Sequence, residues 1–161
     1  MLLGQKVQAV EEAFLLLQQE MSTFQGWSGL HCKSGCGKCC RKPDIEATVL
    51  EFLPFAYSVY KLRMAEEWLQ KIQEHSGAYC ILFKASDGGS DTCTQYAHRG
   101  LICRLFGFSA RTNKYAKREF FSCSTIKTEQ SENYSATVGL ILGGNTVPVM
   151  NQYYMRLFAI D

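Results

Sequence analysis

The sequence predicts a mainly α-helical chain with short β segments, a small single domain over residues 1–161 organised around a cysteine-ligated metal centre. Three observations predict it. Apolar stripes of helical period lie near both ends, short apolar β-prone segments fill the middle third, and eight cysteines are present, half of them between positions 32 and 40.

Composition bounds the reading. The chain has 161 residues, 47% hydrophobic and 12% aromatic, with a formal charge of +2. That is enough to bury a core and is unlike a disordered composition. No run of about eighteen apolar residues occurs, so no membrane association through a spanning helix is expected. The small charge gives no reason to expect nucleic acid. Glu11, Glu12, Gln18, Gln19 and Glu20 interrupt the N-terminal apolar residues, unlike a secretory signal. A cytoplasmic chain is therefore expected, where many cysteines mean metal or redox chemistry more often than disulfides. The competing reading is a disulfide-stapled secreted domain, but a chain of this length needs no staples.

Leu3, Val7, Val10, Phe14, Leu17 and Met21 alternate in steps of four and three. This predicts a helix over 3–22 packed on its own domain, ended by Gly26-Trp27-Ser28-Gly29. The loop that follows carries Cys32, Cys36, Cys39 and Cys40, with Gly35 and Gly37 permitting tight turns. Thr48-x-x-Glu51 is a capping box that starts a helix near Val49. Leu50, Leu53, Tyr60, Met64, Trp68 and Ile72 continue at helical spacing, and Pro54 should kink or split that helix. His75 ends it, beside its last carbonyls. Tyr79 to Phe83 reads as a strand, Asp87-Gly88-Gly89 as a turn and Thr92 to Tyr96 as a returning strand, with Tyr96 in the core. Leu101 to Phe108 and Glu119 to Ser124 are further short aromatic-rich pieces, read as core. After Gly143-Gly144, Asn145 or Thr146 caps a last helix over 146–160, with Pro148 in its first turn.

The cysteines carry the chemistry. Cys32-x3-Cys36-x2-Cys39-Cys40 packs four thiols into a loop, where thiolates repel unless a cation sits among them. Cys80, Cys93, Cys103 and Cys123 each fall in a short apolar segment and supply the ligands that would close a site. One mixed site, two four-cysteine sites or a polynuclear site all remain open. Zinc knuckles usually show two C-x2-C pairs, and this chain has one, Cys36 and Cys39. A dense run plus remote cysteines fits iron–sulfur ligation slightly better. Cys32-x3-Cys36-x2-Cys39 also has the radical S-adenosylmethionine spacing, but the βα repeats of that barrel are missing. Arg41 and Arg104 each follow a cysteine directly and could donate to a metal-bound sulfur; Lys38 and Arg99 would offset thiolate charge. For either arginine the alternative is an ion pair with Asp44, Glu46 or Glu51. His31 and His98 flank cysteines and are weaker ligand candidates.

These residues resemble the YkgJ-like cysteine-cluster family, the CxxCxxCC zinc- or iron-chelating domain. The matching pieces are Cys36-Gly37-Lys38-Cys39-Cys40-Arg41, Leu50-Glu51-Phe52-Leu53, Cys80-Ile81-Leu82, the run from Cys93 to Phe106, and Cys123. The likeness covers roughly residues 30–127. It departs in two places: Gly100 stands where the family has proline, and the first cysteine spacing is x3. The resemblance implies metal or iron–sulfur binding and no established reaction. No nucleophile with a base, carboxylate pair or phosphate loop suggests one either. The expectation is a metal-binding protein. The alternatives are a redox enzyme or electron carrier with an exposed cluster, or a structural-zinc module that meets a protein partner through its N-terminal helix.

Overall fold

The apolar stripe of the first helix is buried from Val7 onward: Val7, Val10, Phe14, Leu17 and Met21 are at most 8% exposed and Phe24 extends it, whereas Leu3, in the helix's first turn, is 56% exposed. In the computed structural model, which describes residues 1–43, 45–86 and 91–160, this helix is α1 (Leu3–Ser28). It runs six residues past the expected end at 22. Gly26 is accommodated within the helix, and Trp27 packs edge-on against Phe24, with ring centroids 5.0 Å apart. The stop is Gly29, whose φ of +67° is the left-handed conformation that ends helices.

The remaining elements follow in order: a 3-10 turn Val49–Phe52, α2 (Leu53–Lys61), α3 (Ala65–Glu74), β1 (Phe83–Lys84), β2 (Thr92–Cys93), a 3-10 turn Tyr96–His98, α4 (Leu101–Leu105), β3 (Ser109–Thr112), β4 (Arg118–Phe121), α5 (Ser124–Glu129), α6 (Ser131–Leu142) and α7 (Met150–Phe158). The chain is thus mainly helical with short strands. Both sheets are two-stranded and antiparallel, β1 with β2 and β3 with β4. No described helix is long and apolar enough to cross a membrane.

Contacts gather the chain into two compact units. The first comprises Met1–Val10 and Lys33–Cys103, the second Glu11–Cys32 and Arg104–Asp161. In the first unit, the capping box at Thr48 and Glu51 forms as the sequence predicts. Pro54 takes the first turn of α2, where its missing N–H costs nothing. The break between α2 and α3 falls at Arg63, which adopts φ +59°. The expected apolar face is not buried on either side of it: Tyr60 is 70% and Ile72 58% exposed. Trp68 anchors α3 by an edge contact with Phe55. Tyr96 is also exposed, beneath the Arg99 guanidinium at 3.5 Å, rather than in the core. The strand expected from Tyr79 shrinks to Phe83–Lys84, paired with Thr92–Cys93. The turn expected at Asp87-Gly88-Gly89 lies outside the described residues.

The second unit has a denser core. Of the piece Leu101 to Phe108, read as aromatic core, Arg104 onward belongs to this unit, closing α4 and turning into β3. Phe120 contacts both Phe24 and Tyr134. Phe108 is buried, whereas Phe121 is 41% exposed. The last helix starts at Met150 rather than 146, because tertiary pairing captures its expected first turn. Val149 forms a parallel bridge with Ala110, and the Pro148 carbonyl accepts the Ala110 N–H at 2.8 Å. An extended strand-like segment therefore replaces helix there.

Leu17 is fully buried on α1, whereas Ile72 is exposed on α3. Leu17→Ala should cost about 2–5 kcal/mol and Ile72→Ala less than about 0.5 kcal/mol in urea denaturation.

Candidate metal centre

The thiols come from segments too short to fold alone, so long-range contacts must place them. The loop from Lys33 to Lys42 has neither helix nor strand. It turns at Gly35 and Gly37, both with positive φ. The Cys40 carbonyl accepts the Cys80 N–H at 3.4 Å, bringing Cys80 beside this loop. Phe83 pairs with Cys93 across the β1–β2 hairpin. Cys103 rides on α4, whose start is fixed by Glu51. The Glu51 carboxylate is 1% exposed and accepts from Thr48 N–H at 2.9 Å and from Ile102 N–H at 3.2 Å.

In the first unit Cys39, Cys40, Cys93 and Cys103 feel one another's charge, and Cys80 acts on Cys93 and Cys103. Cys39 Sγ and Cys40 Sγ are 4.0 Å apart, even though neighbouring side chains tend to diverge. This contact lowers the Cys39 pKa to about 6 and holds the Cys40 proton well above the ordinary range. Burial pushes Cys103 up to about 11 and raises Cys93, with neighbouring thiols adding to both shifts. Arg99 opposes these shifts, and its charge favours the thiolates of Cys39, Cys93 and Cys103.

Cys36 sits in the same unit, its N–H bonded to Lys33 O in a turn. Cys32 and Cys123 belong to the second unit. There Gln130 brackets the His31 backbone, donating to its carbonyl at 2.7 Å and accepting its N–H at 3.0 Å. Cys123 caps α5, its sulfur accepting the Ile126 N–H at 3.4 Å. Cys123 and Gln130 thus stand at opposite ends of α5. No disulfide joins the eight cysteines.

The flanking residues fall differently from expectation. Arg41 pairs with Asp91, at 3.0 Å from Nε and 2.8 Å from Nη2, so these two donors are spent on a carboxylate. Of the partners expected for it, Asp44 lies outside the described residues. The guanidinium of Arg104 lies over the Phe14 ring at 4.5 Å. His98 packs against Phe55, and His75 Nε2 lies 2.8 Å from the Tyr79 carbonyl, beyond α3 rather than on its last turn. Asp91 escaped sequence reasoning. Its signal was a charge opposite to Arg41 placed two residues before Cys93, as Arg41 follows Cys40.

The donor chemistry fits zinc or iron: several thiols, one of them readily ionised, with a guanidinium near them. Among the described residues, no three His, Cys, Asp or Glu side chains already stand in a ligating arrangement. Coordination therefore requires the sulfurs to draw closer than they stand here.

In the reduced, metal-free chain at pH 7, Cys39 should be the first thiol alkylated by iodoacetamide. With a pKa of about 6 it is mostly thiolate, whereas an ordinary cysteine is only a few per cent ionised. Mass spectrometry should place the rapid phase on Cys39, and Cys39→Ser should abolish it. Uniform labelling of all thiols would contradict the split between Cys39 and Cys40.

No curated protein and no solved structure matches the chain. A family model does match, over residues 31–133, which takes in all eight cysteines from Cys32 to Cys123. With most of its length under that model, the chain belongs to the CxxCxxCC family, described as a "putative zinc- or iron-chelating domain".

Proposed function

We propose that the protein chelates its metal through Cys39, Cys40, Cys80, Cys93 and Cys103, and that the bound group is an iron–sulfur cluster. The observation that supports this most is the convergence of five thiols from four separate segments in one unit. Such thiols repel once ionised, and a bound cation offsets that repulsion. The preference for iron–sulfur rests on the dense run joined to remote cysteines. When bound, a cluster would supply one-electron chemistry, whereas zinc would supply a cross-link.

The chain's own residues contribute three things. The paired thiols of Cys39 and Cys40 give one ready thiolate. Arg99 lowers the cost of ionising Cys39, Cys93 and Cys103. Glu51 fixes the start of α4 and with it Cys103.

The first unit also has reason to depend on metal. Val7, Val10, Pro54, Val59, Leu82 and Leu101 are its buried apolar side chains, whereas most of the described core lies in the second unit. A thin core in a unit this size leaves cross-links to supply stability.

The test is anaerobic purification followed by a visible spectrum and assay of iron, zinc and acid-labile sulfide. The expected result is a brown protein with matched iron and sulfide, and Cys→Ser at any of the five positions should lower the metal content. A colourless protein holding only zinc would overturn the cluster and keep the chelation. A chain that takes neither metal would overturn both. Removing metal by chelation should cost amide-exchange protection across 45–86 and 91–103, while α6 and α7 stay protected.

A further inference from the structure

We infer that Arg41 and Asp91 form a clasp that docks the cysteine loop onto the β1–β2 hairpin and thereby sets how tightly the thiols hold metal. The inference rests on the chelation reading above. Three residues of the loop converge on Asp91. Arg41 donates twice to Oδ2, at 3.0 and 2.8 Å. The Gly35 carbonyl accepts the Asp91 N–H at 2.9 Å. Gly37 lies so close that an added Cβ would run into the Asp91 side chain and come within 2.8 Å of the Phe83 ring. The Arg41 guanidinium also covers Phe83, 5.1 Å from its centroid. Phe83 in turn pairs with Cys93.

Both partners are set where they act on thiols. Arg41 follows Cys40 directly, and Asp91 precedes Cys93 by two residues. Their side chains join the two stretches across fifty residues of sequence. Most exposed ion pairs contribute little, because water solvates both ends equally well. Here the Arg41 side chain is 45% exposed, but the Asp91 side chain is only 8% exposed, and its other oxygen accepts the Ser86 N–H at 3.3 Å. A carboxylate so enclosed fixes a geometry that an exposed pair would leave free.

The consequence falls on metal affinity. Ligands drawn from two stretches must be ordered together before they can share an ion. A clasp that orders them during folding removes that cost from the binding step. Arg41 and Asp91 are positioning residues in this scheme. They touch no metal, and their loss should weaken binding without changing the ligand set. Outer residues that orient metal ligands typically change affinity by about 10- to 100-fold.

Cobalt(II) titration of the full-length chain, reduced and in competition with a chelator, tests this. The variants are Arg41→Met, Asp91→Asn and the double substitution. Each single variant should bind cobalt about 10- to 100-fold more weakly. The double variant should match the weaker single variant within about twofold, because one clasp is lost only once. At saturation the thiolate charge-transfer spectrum should equal that of the unaltered chain. Arg41→Lys keeps the charge and loses the fork, so it should fold and fall between the extremes.

Unchanged affinity in both single variants would overturn the clasp and leave chelation standing. Fully multiplicative effects in the double variant would also overturn it, as would an altered saturated spectrum after Asp91→Asn, which would make Asp91 a ligand. An unaltered chain with no thiolate charge-transfer band would overturn the chelation reading and the clasp together.

Discussion

Mutual repulsion of thiolates is the constraint to which the first unit answers. Two unit charges 4 Å apart cost about 4 kcal/mol at an effective dielectric of 20. The sulfurs of Cys39 and Cys40 stand at that separation. One proton between them relieves the conflict, which is why Cys39 ionises easily and Cys40 resists. Burial first, and the neighbouring thiols after it, hold the protons of Cys93 and Cys103 above the ordinary range. The single guanidinium of Arg99 offsets only part of this. A divalent ion or a cluster removes the conflict outright, because it replaces several protons with one centre of positive charge.

The same constraint explains how the chain divides its labour. Apolar burial is concentrated in the second unit, where α1, α6 and α7 contribute Leu17, Phe24, Ile141, Tyr153 and Leu157. The first unit spends its sequence on turns, short strands and polar links. Its α3 buries no residue at all, and its Trp68 rests edge-on against Phe55. A unit built this way is held by specific bonds more than by area. The enclosed carboxylates of Glu51 and Asp91 act as the nodes, each joining stretches about fifty residues apart. Nodes of this kind give a definite geometry where packing alone would tolerate several.

What the sequence made legible follows from the range of each interaction. The capping box at Thr48 and Glu51 spans three residues, and it was readable because both partners fall in one turn. The buried stripe of α1 was readable from period alone. The end of that helix was not, since Gly26 and Gly29 look alike until one of them must turn left-handed. The start of α7 was hidden for a different reason. Pro148 suits a helix's first turn, but pairing of Val149 with Ala110 outweighs that local preference. Tyr60 and Ile72 carried a helical period that promised burial, yet no packing partner covers them among the described residues. At the candidate site the thiols were legible as residue types in clusters. The Arg41–Asp91 pair was not, because opposite charges beside two cysteines fifty residues apart do not name each other as partners.

Gly100 shows how a departure from the family pattern is absorbed. Proline before α4 would fix φ ahead of the turn that presents Cys103. Glycine gives up that stiffness. The space beside it is nevertheless full: a Cβ there would lie 3.1 Å from both Glu51 Oε2 and the Phe52 ring. Glu51 uses this approach to accept the Ile102 N–H, a donor at the first turn of α4 that the helix itself leaves unsatisfied. The carboxylate thus supplies from outside the order that a proline would have supplied from within the chain. It also ties the position of Cys103 to the 3-10 turn at Val49–Phe52, so the capping box does more than start a helix. Its glutamate sets where a thiol of the candidate centre stands.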